Sequence, residues 1–218
     1  MSDAPPSVSP LGEAALTVTL GDRISLDLHL KVCAVAEAIR TVALPAVQEI
    51  VPGYATVTLY YDPAQVEYAA LARTAMGVVE TAGPESETAA PRHLAIPVRY
   101  DGPDLPHVAE QTGLAVAEVI ARHAAPEYRV YLMGFVPGFA YLGGLDPSLA
   151  LPRRGTPRRR VPAGSVAIGG SQAAVYPLET PGGWHLIGRT DLRLFDPHRT
   201  PPALLKVGDR VRFTPLAS

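Results

Sequence analysis

Three stretches of this sequence bring together residue types able to hold a small charged ligand. The first is GFVPGFAYLGGL, Gly134 to Leu145, in which glycines permit close backbone approach and Pro137 fixes its own φ, so that Phe135, Phe139 and Tyr141 can be held in defined directions. Such a loop is suited to one wall of a pocket, or to an irregular hairpin whose aromatics only fill the end of a barrel. The second is PRRGTPRRR, Pro152 to Arg160, with five arginines in nine residues. Guanidinium forks suit phosphate or carboxylate and the prolines restrict the backbone that carries them, although a basic run is also often a solvated surface, the alternative that applies to Arg154, Arg159 and Arg160. The third runs from Gly164 to Thr190. Read as strand, turn and strand, it places Gln172 and Tyr176 near one end and returns Trp184, Arg189 and Thr190 beside them. Amide, phenol, indole and guanidinium can together hold a small polar ligand; equally, Trp184 can be a core anchor and Arg189 can pair with Asp191 or Asp196.

Other chemistry is excluded or unsupported. There is no GxxxxGK[ST] loop, and Lys31 and Lys206 are the only lysines, so this chain holds no P-loop nucleotide site. The six histidines lack HExxH or other tight ligand spacing, and no metal site is predicted. No GxSxG elbow is present. The single cysteine, Cys33, excludes an internal disulfide, falls within an amphipathic helix, and fits a reducing compartment, hence the cytoplasm. A formal net charge of -2, from 19 basic and 21 acidic residues, gives no global field for nucleic acid or an anionic membrane. The N-terminus lacks the apolar run of about 7 to 15 residues of a secretory signal, and no stretch approaches the roughly 20 apolar residues that span a bilayer.

Hydrophobic residues at 47% and charged residues at 18% support buried cores, and 218 residues suffice for two small domains. Leu16, Val18 and Leu20 alternate with threonines, as in a half-buried strand. Leu28, Val32, Val35, Ile39 and Val42 then recur at helical spacing behind a plausible Ser25 N-cap. Two tightly joined strands follow at 46–51 and 57–61, and Asp62-Pro63 is expected to open a second helix carrying Val66, Ala69, Ala72, Met76 and Val79. This β-α-β-β-α order is most of a ferredoxin-like unit. The expected division is a flexible tail at 1–12, an N-terminal α/β domain at 13–85, a polar linker at 86–91 and a second domain at 92–218. In the last, a strand at 93–100 and two short helices precede β-rich segments at 129–133, 166–168, 173–176, 185–187, 193–195 and 210–213. Their spacing suggests a closed or nearly closed barrel.

At these residues the chain resembles the family of 5-oxoprolinase B subunits, also described as allophanate hydrolase subunit 1 or as the sporulation kinase inhibitor family. The segments that carry the resemblance are SPLGEAAL, EIVPGYATVTLYYDP, YRVYLMGFVPGFAYLGGLDPSLALPRRGTPRRRVPAGSVAIGG and VYPLETPGGWHLIGRTDLRLFDP, in the family's order. The resemblance implies an α+β protein with a small α/β N-terminal domain followed by a cyclophilin-like β-barrel. It further implies one component of a multi-subunit enzyme, not expected to run the reaction alone, that acts with the A and C subunits to convert 5-oxo-L-proline, ATP and water to L-glutamate, ADP and phosphate. Related modules are fused in urea carboxylase. Carried over by motif position, the catalytic candidates are Arg153, Arg158 and Gln172. The substrate-binding candidates are Phe135, Pro137, Gly138, Phe139, Tyr176, Trp184, Arg189 and Thr190. Ala173-Ala174 departs from the small polar residues or glycine that many relatives carry. Three other readings compete: a regulatory inhibitor that docks on a sensor histidine kinase, as one branch of the family implies, an allophanate hydrolase or urea carboxylase-related subunit, and a peptidyl-prolyl isomerase, suggested by the barrel type alone.

Overall fold

In the computed structural model, residues 5–82 and 91–216 are described, and the chain divides into two compact units, Met1–Ala90 and Pro91–Ser218. All of the expected 86–91 linker except Pro91 lies outside the described residues.

The first unit contains β1 (Ser7–Pro10), β2 (Ala15–Thr19), α1 (Leu26–Val42), β3 (Val47–Pro52), β4 (Thr56–Tyr61) and α2 (Tyr68–Thr81). Its sheet has the order β1-β2-β4-β3 and is antiparallel throughout. Ser25 caps α1, its hydroxyl accepting from the Leu28 N–H at 3.2 Å, and Ala43 ends the helix in the left-handed region. The apolar stripes of both helices meet Leu16, Val18, Val57 and Leu59 from the sheet. Two expectations are corrected. The segment read as a flexible tail supplies β1, because Val8 packs on this core while the backbone of Ser7 to Pro10 pairs with β2. Asp62 does not open α2: its carboxylate accepts from the Ala64 N–H and the Gln65 side chain, closing a separate turn, and the helix starts at Tyr68.

The second unit contains β5 (His93–Val98), α3 (Leu105–Thr112), α4 (Val116–Ala124), β6 (Tyr128–Met133), β7 (Ala140–Gly143), a 3-10 turn at Pro147–Leu149, β8 (Arg158–Val161), β9 (Ser165–Gly169), β10 (Gln172–Val175), β11 (Thr180–Gly182), β12 (His185–Arg189) and β13 (Arg210–Pro215). Seven of these strands form one sheet in the order β12-β9-β10-β7-β6-β13-β5. Its two ends meet where Arg99 and Arg189 exchange both backbone hydrogen bonds at 2.8 Å, giving a nearly closed barrel. Residues 193–195, expected as a strand, make only an isolated bridge from Phe195 to Ala203. The short β7, β8 and β11 are additions to the expected strands; three or four residues carry too little alternation to stand out from the glycines and prolines around them.

Alternation on β9 and β10 feeds two hydrophobic clusters. Val166, Ile168, Ala173 and Val175 join the main barrel core, whereas Ala167 and Ala174 join a second cluster of Phe139, Val161, Tyr176, Trp184 and Leu186. That second cluster bounds the candidate site.

Candidate functional site

The small side chains of Ala167 and Ala174 leave room for large rings on their face of the sheet. Phe139 is the hub, edge-on to Tyr141 at 4.9 Å, Tyr176 at 5.3 Å, Phe135 at 5.4 Å and Trp184 at 5.9 Å between ring centroids. Edge-to-face contacts at these distances fix ring orientation as well as bury area. Gly182 is required by this packing, since any Cβ there would collide with the Tyr176 hydroxyl, which itself accepts the Trp184 backbone N–H.

Above the rings lies a half-open cavity of about 280 Å³ lined by Phe135, Phe139, Tyr141, Arg153, Arg154, Pro157, Tyr176, Trp184 and the 181–183 turn. The loop from Gly134 to Phe139 is folded on itself by Gly134 N–H to Phe139 O and Phe139 N–H to Val136 O bonds. Its tip holds Phe135 at φ 72°, a conformation costly for an aromatic residue, and the residue is 59% exposed at the cavity rim. Backbone held in such a region is over-determined by its surroundings and is characteristic of ligand sites. Pro137 and Gly138 shape this loop and do not line the cavity; a Cβ on Gly138 would meet Phe195 at 2.7 Å.

The arginine stretch supplies the charge. Arg153 lies with its guanidinium carbon 5.5 Å from the Trp184 ring centroid and forms no ion pair among the described residues. It leaves its donors to solvent or a ligand. Burial raises the pKa values of Tyr141 and Tyr176, and the Arg153 charge works against that rise in both, so the two phenols are protonated donors near neutral pH. Arg154 also lines the cavity, and its side chain is tied to Asp104 at 2.9 Å; Arg158 reaches the same carboxylate oxygen at 2.7 Å. Burial acts to raise the Asp104 pKa, but the Arg158 hydrogen bond, the Leu186 N–H and the two arginine charges outweigh it, holding the group below its ordinary value. Arg160 instead pairs with Glu179 at the surface.

The sequence-predicted residues therefore fall into two sets. Phe135, Phe139, Arg153, Tyr176 and Trp184 are brought together around the cavity. Arg158 stands one layer behind, and Gln172, Arg189 and Thr190 are elsewhere. The expected placement of Gln172 and Tyr176 together, beside Trp184, Arg189 and Thr190, is corrected by the antiparallel register: Gln172 pairs with Gly169 and Arg189 with Ser165, at opposite ends of β9. Arg189 pairs with Asp101 at 2.9 Å, not with Asp191 or Asp196. The Thr190 hydroxyl accepts from the Leu192 N–H, and its backbone N–H donates to Gly164 O, closing the turn after β12. Sequence reasoning missed Asp104 as a partner of the arginines; its one local signal, an acid just before a helix, reads as an N-cap. Among the described residues there is no group of three or more His, Cys, Asp or Glu side chains able to hold a metal ion, and no helix long and apolar enough to cross a membrane.

The comparisons with known proteins agree with one another. The family model described as the carboxyltransferase domain, subdomain C and D, matches residues 6–205. The chain is 44% identical over 209 residues to the B subunit of 5-oxoprolinase from Escherichia coli O157:H7, covering 94% of each. It is 39% identical to the crystal structure of TTHA0988, with a TM-score of 0.83, over 97% of this chain and only 40% of that one, so it spans well under half the length of that solved protein. The urea amidolyase of K. lactis, at 18% identity and TM-score 0.83 over 99% of this chain and 16% of that chain, shares the fold.

Proposed function

The chain belongs to the family of 5-oxoprolinase B subunits, within the carboxyltransferase domain C and D proteins, and from that premise we propose that it is the B subunit of an ATP-dependent 5-oxoprolinase. In this reading it acts in the cytoplasm with the A and C subunits to cleave 5-oxo-L-proline to L-glutamate. The first unit is then a ferredoxin-like arrangement whose outer strand β1 comes from the N-terminus, and the second a cyclophilin-like barrel.

The observation that carries the reading is the pairing of a free guanidinium with an aromatic-walled cavity of about 280 Å³. That volume lies just under the roughly 300 to 1,000 Å³ of pockets for drug-sized ligands. It suits a small ring carboxylate and does not hold a whole nucleotide, so the nucleoside part of ATP is carried elsewhere in the complex. Arg153 and Arg154 receive the carboxylate or, as charge develops, phosphoryl oxygens. Phe139, Tyr176 and Trp184 exclude water from the ring face and keep it in one orientation. ATP supplies the activation, since amide resonance otherwise resists ring opening. Arg158 contributes from behind, and Gln172, Arg189 and Thr190 support the barrel.

The test is to reconstitute the chain with the A and C subunits and follow glutamate release. Wild type releases glutamate in step with ADP, whereas Arg153→Ala raises KM for 5-oxo-L-proline by about tenfold or more. Arg153→Lys does not restore it, because an ammonium neither stacks on Trp184 nor offers a planar fork. A wild-type complex that releases no glutamate, or an unaltered Arg153→Ala, refutes the reading.

A further inference from the structure

Asp104 sits immediately before α3, where an aspartate ordinarily spends its carboxylate capping the helix, yet it makes no capping bond. The side chain is turned the other way and is buried. One oxygen, Oδ1, accepts from Arg154 Nη1 and Arg158 Nη2, while Oδ2 accepts from the Leu186 N–H at 2.7 Å. The Asp104 N–H returns a bond to Leu186 O at 2.9 Å, so this residue is locked to β12 by both its backbone and its side chain. Leu186 lies two residues from Trp184.

The loop that carries Arg153 is held at every neighbouring position. Leu151 O accepts from Gly170 at 2.7 Å, Pro152 O accepts from His185 Nε2 at 2.8 Å, and the Arg154 N–H donates to Gly183 O at 2.8 Å. Within this frame the Asp104 clamp fixes the side chains on both sides of the 155–157 turn. Among the described residues, Arg153 itself has no side-chain anchor except the Trp184 ring. Its place over that ring is inherited from its neighbours.

A buried carboxylate shared by two arginines is a poor device for stability alone, because its desolvation offsets much of the attraction. Its geometric effect is specific. We propose that Asp104 is a positioning residue that sets Arg153 and Arg154 at the cavity and thereby determines affinity for the carboxylate of a small anionic substrate. The substrate assignment rests on the proposed 5-oxoprolinase reading; the positioning role does not.

Trp184 is the only tryptophan, so its fluorescence reports on the cavity without any assay of turnover. The measurement is quenching of the full chain by iodide and by caesium, expressed as the ratio of the two quenching constants. In wild type the neighbouring guanidiniums favour iodide, and Arg153→Ala lowers the ratio. Asp104→Asn keeps the size of the side chain but offers one acceptor and a donor where two guanidiniums and an N–H need acceptors. It is expected to lower the ratio toward that of Arg153→Ala even though it removes a negative charge, and Asp104→Glu, which keeps the charge, to recover part of it. If Asp104 acted only by its charge, the ratio would rise; if it only held the fold, both constants would rise together at unchanged ratio. Either result overturns the proposal, as does an Arg153→Ala variant with the wild-type ratio. Should Asp104→Asn not fold, Asp104→Glu gives the same decision at unchanged charge: a ratio below that of wild type is expected, and the wild-type ratio overturns the proposal. In the reconstituted complex, Asp104→Asn is expected to raise KM on the order of tenfold with kcat within about twofold. A wild-type complex without activity removes the 5-oxoprolinase reading and leaves the quenching result to decide the role of Asp104.

Discussion

Replacing His123 by asparagine should flatten the acid dependence of stability. His123 is fully buried at the end of α4, against Phe213 at 4.5 Å between ring centroids, with Nδ1 2.7 Å from the Tyr100 hydroxyl. Burial pushes its pKa from 6.5 down to about 3, so the imidazole is neutral in the folded protein. Protons consequently bind the unfolded chain first. The stability this residue allows is complete above about pH 6.5 and falls as pH drops toward 3, by about a factor of ten in the folding equilibrium for each unit. Between pH 7.5 and 5.5 the loss amounts to roughly 1–2 kcal/mol, in a window above the titration of ordinary carboxylates. Asparagine retains a polar group near Nδ1 for Tyr100 but does not titrate. Urea unfolding at the two pH values measures the difference. The variant should be less stable at pH 7.5, having lost ring packing, yet lose less of its stability on acidification than wild type does. An equal loss in both proteins would refute the assignment of a buried neutral imidazole.

Two further substitutions probe the framework. Gly102→Ala places a Cβ against the backbone of Leu186 and Ile187, which cannot move away as a side chain can, and should lower stability by about 1–3 kcal/mol in thermal or urea unfolding. Because the collision is on β12, next to the Trp184 segment, tryptophan emission should shift as well; an unshifted, fully stable variant would contradict the packing. Ser25→Ala removes the acceptor that caps α1 and should cost about 1 kcal/mol in urea unfolding, with Trp184 emission in the native state unchanged because that residue belongs to the other compact unit.

What is legible in the sequence is local. Ser25 and the three- and four-residue spacing of Leu28, Val32, Val35 and Ile39 define α1 within one stretch of chain, and the structure keeps both. Phe135, Phe139, Arg153, Tyr176 and Trp184 stand out because glycine and proline surround rings and guanidiniums in segments too irregular to be ordinary core. The rest depends on distant pairing. Ser7 to Pro10 has a single large aliphatic residue, Val8, and becomes strand only because β2 offers an edge. The register of β9 against β10 and β12, which separates Gln172 from Arg189, is set by contacts across three strands. Asp104 meets arginines 50 and 54 residues away, a partnership that no spacing rule reveals.

The division of β9 and β10 between two clusters has a consequence for how the site can vary. Val166, Ile168, Ala173 and Val175 are committed to the barrel core, so the wall beneath the cavity is fixed by packing that does not line it. Ala167 and Ala174 face the other way and are small, which is what admits Phe139, Tyr176 and Trp184 as a second layer. Beside Gln172, Ala174 thus makes the floor apolar without filling it. The cavity's charge comes from a different source, the 152–158 segment, which meets that floor through single hydrogen bonds to Gly183 and His185 and through Asp104. Shape and charge are therefore set by separate elements. Substitutions in the arginine segment can change the charge at the cavity while the aromatic layer and the barrel behind it stay as they are.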